Sequence, residues 1–204
     1  LTHTYAGYPM VREARALISQ GALGQLRHVQ VEYLQDWLAV SLEQTGQKQA
    51  VWRTDPAQSG QGGCIADIGT HAAHLATFVT GLPLHAVLSD LSSFGAGRQL
   101  DDNAAILLRF EGGAKGMIWA SQIAAGTKNA LRLRIIGDAG GLSWDQENPE
   151  ILEYTPIGAP TRLLRRGGET VLTSSRTPAG HPEGYLEAFA TLYAEAAAQI
   201  GAYK

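Results

Sequence analysis

The 204-residue chain carries 16 Lys and Arg against 19 Asp and Glu, a formal net charge of -3, with 45% apolar and 17% charged residues. That length suffices for one sizeable core, and the balanced charge, with no basic run longer than Arg165-Arg166, argues against nucleic acid or an anionic membrane as the main partner. The lone Cys64 has no partner for an internal disulfide and no apolar run approaches the roughly 18 residues that span a bilayer, so the expectation is a cytoplasmic protein acting on small, weakly charged ligands.

In chain order, Pro9 to Gln20 places Met10, Ala14, Leu17 and Ile18 at helical spacing, with Pro9 suited to the first turn and Gly21 to the stop. Gln25 to Gln35 has the β-rich composition of a strand of about ten residues. Leu38 to Ser59 is polar and without a period, and loops of that length in a compact domain are usually functional or disordered. Gly63 to Thr80 reads as one helix ending at Gly81, with Pro83 beyond it.

From His85 onward the pattern turns to strands: His85–Phe94, Asn103–Phe110, Lys115–Ile123 and Ala130–Ile136, then shorter runs at Gly141–Trp144, Ile151–Tyr154 and Arg162–Leu164. Short Gly-rich connections between them permit only antiparallel neighbours. His181 to Ile200 is helical again, with Leu186, Phe189, Leu192, Tyr193, Ala196 and Ile200 on one side. The fold class expected is α+β: an open, mainly antiparallel or mixed sheet with helices on one face. Both residue sets on the strands Asn103–Phe110 and Lys115–Ile123 are largely apolar, so the other face is expected to meet a subunit or second domain. Leu1 stands where Met would start a chain and Lys204 falls inside a helical pattern, so the chain is expected to be a fragment.

The chemistry concentrates in Trp52 to His71. Asp67 and His71, four residues apart on a helix, share a face and form a candidate acid/base pair; the alternative is a locally paired Asp and a satisfied core His. Gly60, Gly62 and Gly63 let backbone approach a ligand or partner closely. They fail as a dinucleotide fingerprint, because Ile65 stands at the third glycine and no strand precedes them. Asp67, His71 and His74 form only a weak metal pattern, and P-loop, serine-hydrolase and dithiol motifs are absent. Trp52 and Arg53 either stack on and hydrogen-bond a sugar ring or anchor their loop. His181 either reaches the same site or begins a helix.

Taken together, Tyr8-Pro9 with Ala14-Arg15, Gly21 and Leu23-Gly24, then Ser59-Gly60 with Gly62-Gly63, then Asp67-Ile68-Gly69-Thr70-His71 with Gly81, and Gly180 to Tyr185 resemble the C-terminal, substrate-binding domain of the Gfo/Idh/MocA oxidoreductases over essentially the whole chain. The resemblance implies that residues 1–204 are the substrate-binding and dimerisation domain, with 1–24 leading out of a nucleotide-binding domain that precedes Leu1. It implies oxidation of a secondary hydroxyl of a sugar, cyclitol or related polyol, or reduction of the ketone, with NAD or NADP held mainly by the preceding domain. Asp67 and His71 would be catalytic, His71 accepting or relaying the proton and Asp67 binding the substrate; Trp52, Arg53 and His181 would bind substrate, and no resident metal is implied. The family's lysine in an E-K-P setting has no counterpart here. A homodimer or homotetramer through the sheet face is implied as well. A non-catalytic carbohydrate-binding or dimerisation module of the same fold is the alternative.

Overall fold

A computed structural model describes residues 1–169, 171–173 and 175–203. After a 3₁₀ turn at Thr4–Gly7, helix α1 (Pro9–Ser19) starts with proline, whose missing N–H costs nothing in the first turn. Strand β1 (Leu26–Leu34) follows. The segment expected to be irregular is instead a string of short helical pieces: a 3₁₀ turn at Leu42–Thr45, α2 (Lys48–Arg53) and α3 (Pro56–Ser59). Side-chain caps make such short pieces hold. Gln47 accepts from the Ala50 amide at 2.6 Å and Asp55 from the Ala57 amide at 2.9 Å. Pieces of four to six residues are too short for a period to emerge, so the sequence pattern did not reveal them.

The long helix expected over Gly63–Thr80 divides in two. Ile65–Gly69 is a π-helical turn, and α4 (Thr70–Thr80) is regular and ends at Gly81 in the left-handed conformation. Eight strands form one sheet: β1, β2 (Leu84–Ser92), β3 (Asn103–Phe110), β4 (Lys115–Ser121), β5 (Ala130–Gly137), β6 (Gly140–Asp145), β7 (Ile151–Pro156) and β8 (Arg162–Arg165). Their order is β2-β3-β4-β1-β5-β6-β7-β8, antiparallel throughout except for the β1–β4 pair. Each consecutive pair from β2 to β4 and from β5 to β8 is antiparallel, as the short connections require. The parallel pair joins strands far apart in sequence, with the helices in between. The class is α+β with a mixed open sheet, as expected.

Helices α1 and α4 lie on the inner face over β1, β4, β5, β6 and β7. Val29, Val31, Leu108, Ile118, Leu133, Ile135 and Leu152 from the sheet meet Met10, Val11, Ala72, Leu75 and Val79 from the helices in one cluster. Each such Val, Leu, Ile or Met side chain contributes roughly 1.5–3 kcal/mol of burial. Beyond that helical cover β2 is exposed along its length as an edge strand.

The other face is apolar over β3 and β4, as expected, but not across the whole sheet. Leu88, Leu107, Met117 and Trp119 expose an apolar half over β2, β3 and β4. Across β1, β5, β6 and β7 the same face carries Gln30, Glu32, Arg132, Asp145, Ser143 and Glu153, tied by Arg132–Asp145 at 3.0 Å and Ser143–Glu153 at 2.8 Å. The final helix α5 (Tyr185–Ala202) also departs from expectation: it begins four residues later, and only Ala188 on it is fully buried while Leu186, Tyr193 and Ile200 stay exposed.

Candidate active site

The site is assembled where the π turn meets the C-terminal ends of β1 and β4. Asp101, just before β3, holds the start of that turn: its carboxylate accepts the Gly63 and Ile65 amides, each at 2.7 Å, and its carbonyl accepts the Cys64 amide at 2.8 Å. At Gly63 this puts a protein contact in place of a ligand. A Cβ on Gly63 would collide with the Asp101 carbonyl, so the close approach that requires glycine is made by the protein's own backbone. A Cβ on Gly69 would strike the Ile65 side chain across the wide π turn. Cys64 is buried and donates to Asp101, and burial pushes its thiol pKa up, so it is held as a thiol.

Asp67 leaves the π turn half-buried and receives two donors on one oxygen. Gln122 Nε2 donates to Oδ2 at 2.7 Å and Arg53 Nε to the same atom at 3.2 Å. Arg53 also bonds Gln49, and its guanidinium lies 4.2 Å from the centroid of the Trp52 ring. Trp52 Nε1 donates to Gln49 at 3.2 Å. The structure thus brings Trp52 and Arg53 to Asp67 as one stacked arm on α2. Arg98 secures the preceding turn, bridging Glu43 at 2.9 Å and buried Asp102 at 3.1 Å.

His71, in the first turn of α4, is half-buried among rings. Tyr5, Tyr33 and His3 meet it edge-on at centroid distances of 5.3, 6.2 and 5.1 Å. Its Nδ1 is buried and has no hydrogen-bond partner among the described residues. Burial, and secondarily His3, lower its pKa against the opposing pull of Asp67, so the ring is a neutral base at physiological pH. Asp67 and His71 share a wall without hydrogen-bonding each other.

Behind His71 a polar network fixes the two phenols. Tyr5 and Tyr33 share a hydroxyl–hydroxyl hydrogen bond, Tyr33 donates to Asn129 Oδ1 at 2.9 Å, Gln35 donates to the same oxygen at 2.9 Å, and Asn129 Nδ2 donates to the Tyr5 hydroxyl at 3.3 Å. Burial keeps Tyr33 protonated by raising its pKa far above the usual phenol range. On the other side His3 stacks on His74 at 4.3 Å, and His74 on Phe78 at 5.7 Å. Among the described residues, no three His, Cys, Asp or Glu side chains group as metal ligands, so Asp67, His71 and His74 do not converge.

His181 is not joined to this cluster by any hydrogen bond among the described residues. Its carbonyl accepts from buried Arg166, which also binds Glu150 at 2.7 Å and Glu183 at 3.3 Å, and its side chain is exposed. Gln122, Asp101, Tyr5, Tyr33, Asn129 and His3 escaped the sequence reading because they come from five separate segments; only the paired acids Asp101-Asp102 before a strand offered a local signal.

Residues 11–143 match the family model described as the GFO/IDH/MocA C-terminal domain. The chain belongs to this family. Within it, the chain is 32% identical over 208 residues to the uncharacterized oxidoreductase YfiI of Bacillus subtilis (strain 168), across 99% of this chain and 53% of that protein. The crystal structure of an oxidoreductase from Sinorhizobium meliloti is 49% identical with a TM-score of 0.82, covering 97% of this chain and 52% of that one. That of an inositol dehydrogenase homolog from Azotobacter vinelandii, complexed with NADH and myo-inositol, is 32% identical with a TM-score of 0.83, covering 94% and 50%. The chain therefore spans about half the length of the relatives it matches. No helix among the described residues is long and apolar enough to cross a membrane.

Proposed function

We propose that this GFO/IDH/MocA domain is the substrate-binding half of an NAD(P)-dependent oxidoreductase that oxidises a secondary hydroxyl of a sugar, cyclitol or related polyol, or reduces the corresponding ketone. The observation that carries the reading is a neutral His71 on the same wall as an Asp67 whose Oδ2 is occupied by two donors, leaving Oδ1 to accept from a substrate hydroxyl. The myo-inositol and NADH bound by the Azotobacter vinelandii relative support the same substrate and cofactor class.

The residues present fit a substrate site facing a nicotinamide, and they do not fit a site for its diphosphate. The Gly63 and Ile65 amides, the nearest thing to a phosphate-binding loop, are already given to Asp101. NAD or NADP is accordingly held mainly by a nucleotide-binding domain outside residues 1–204, with residues 1–24 leading out of it. When bound, the cofactor supplies the hydride acceptor. This chain's part is to orient the ring hydroxyls on Asp67 and the Trp52–Arg53 arm and to move the hydroxyl proton to His71 as the hydride leaves carbon. His181, exposed and apart from the cluster, joins substrate binding only if the complete site extends to the start of α5.

The exposed apolar positions of α5 suit contact with that nucleotide-binding domain, and the apolar half of the sheet face, with Trp119 and Met117, suits a homodimer or homotetramer. A cytoplasmic setting follows from dependence on the intracellular NAD(P) pool, and neither nucleic acid nor membrane is a partner in this reading. The test is reduction of NAD⁺ and NADP⁺ by the full-length protein over aldoses, deoxy and anhydro sugars and inositols. Turnover of a ring polyol is expected; a cofactor-binding protein that reduces neither nucleotide with any of them is not this enzyme.

A further inference from the structure

Gln122 is 2% exposed, immediately follows β4, and is clamped by its backbone on both sides: its amide donates to the Asp102 carbonyl and its carbonyl accepts from the Leu38 amide, each at 2.9 Å. Its side chain therefore has a fixed origin. A carboxylate only accepts, so the amide nitrogen of Gln122 must face Asp67, and at 2.7 Å it is the closer of the two donors on Oδ2. The other donor, Arg53, sits on the six-residue helix α2 and divides its guanidinium among Asp67, Gln49 and the Trp52 ring. The rigid contact is Gln122 and the adaptable one is Arg53.

We infer that Gln122 is the positioning residue of the site, fixing the Asp67 carboxylate so that Oδ1 remains the single free acceptor for a substrate hydroxyl. This rests on the dehydrogenase reading above. Two donors on Oδ2 stop the carboxylate from rotating to present either oxygen, so the reacting hydroxyl meets one acceptor in one direction. Without Gln122, Asp67 is free to pair more fully with Arg53 and turn its second oxygen away from the substrate.

The experiment uses the full-length enzyme as wild type, Gln122→Leu, Gln122→Glu and Asp67→Asn, with kcat and KM followed across pH and a crystal structure of Gln122→Leu. Gln122→Leu is expected to lower kcat/KM about ten-fold or more, the scale of one lost hydrogen bond to a charged group, with Asp67 displaced in the crystal. Gln122→Glu places a second carboxyl against Asp67, and two carboxyls that share a proton move the acid limb of the profile to higher pH, a shift that occurs only if position 122 meets the Asp67 carboxylate in the working enzyme. The inference is overturned if both Gln122 variants keep wild-type kcat/KM and limb while Asp67→Asn loses activity. Full activity in Asp67→Asn removes Asp67 from the chemistry and so overturns the inference while the dehydrogenase reading stands, whereas a wild type silent on every polyol sinks that reading itself. In that last case an unmoved Asp67 carboxylate in the Gln122→Leu crystal overturns the hold of Gln122 on Asp67 as well, and a displaced one upholds that hold alone.

Discussion

His71 can serve as a base because its surroundings make its charged form unfavourable. Three rings surround it, and desolvation outweighs the nearby carboxylate. His71→Ala in the full-length enzyme is expected to reduce kcat/KM by about 10²–10⁴, the range for a general base, and an unimpaired variant would remove His71 from the mechanism. The same burial sets two pH responses. In the oxidation direction activity should persist below pH 6.5, the ordinary histidine value, because the folded imidazole remains neutral there. Stability should fall as pH drops from 6.5 toward the value of His74, pushed down to about 4 by burial and by His3 and His71. His3, His71 and His74 take up protons near 6.5 when unfolded but resist doing so when folded, so acid favours the unfolded chain. Denaturant midpoints at pH 7.5, 6 and 5 check this, and a flat profile contradicts it.

At the level of elements, the turn that presents Asp67 is set by a contact from another part of the chain. Asp101 accepts both amides at its start and Gly63 leaves room for the approach. Gly63→Ala is expected to cost about 1–3 kcal/mol through forced displacement of backbone, read as a lower denaturant midpoint at unchanged slope. Asp101→Ala should cost a similar amount, about 1–2 kcal/mol, as a lost cap. A neutral result for both would mean that the π turn holds itself. The spacing of Asp67 and His71 was legible because four residues bring side chains to one face in either helix type. The π turn itself was not, since it depends on Asp101, 34 positions beyond Asp67. The short helices α2 and α3 were hidden for a different reason: their stability lies in single caps, which leave no period. In α5 the apolar stripe was real, but a stripe says only that a helix seeks cover, and this domain buries Ala188 fully, Phe189 and Leu192 in part, and leaves Leu186, Tyr193 and Ile200 exposed.

For the molecule as a whole, the outer sheet face divides into an apolar half and a charged half, and the proposed assembly draws on the first. Replacing Trp119 with Glu is expected to weaken self-association of the full-length protein by about 2 kcal/mol or more, roughly thirty-fold in dissociation constant, as loss of a buried aromatic anchor does. Sedimentation velocity measures it; an unchanged assembly would place the interface elsewhere. Reading β3 and β4 in isolation suggested an apolar sheet on both sides, because only the strand order reveals that the polar alternation of β1 and the arginines of β5 occupy its centre.

By itself the sequence determined the strand and helix segments with a clear period, the α+β class, and the Asp67–His71 pair within the glycine-bounded segment that also marks the family. Those features are local, carried by side-chain periodicity and by residues a few positions apart. Tertiary structure alone decided that β1 enters the sheet between β4 and β5, that Asp101 shapes the π turn, that Arg53 and Gln122 converge on one oxygen of Asp67, and that His3, Tyr5 and Tyr33 enclose His71. Each of these joins residues separated by many positions, and such contacts exist only once chain closure and core packing have placed the segments side by side.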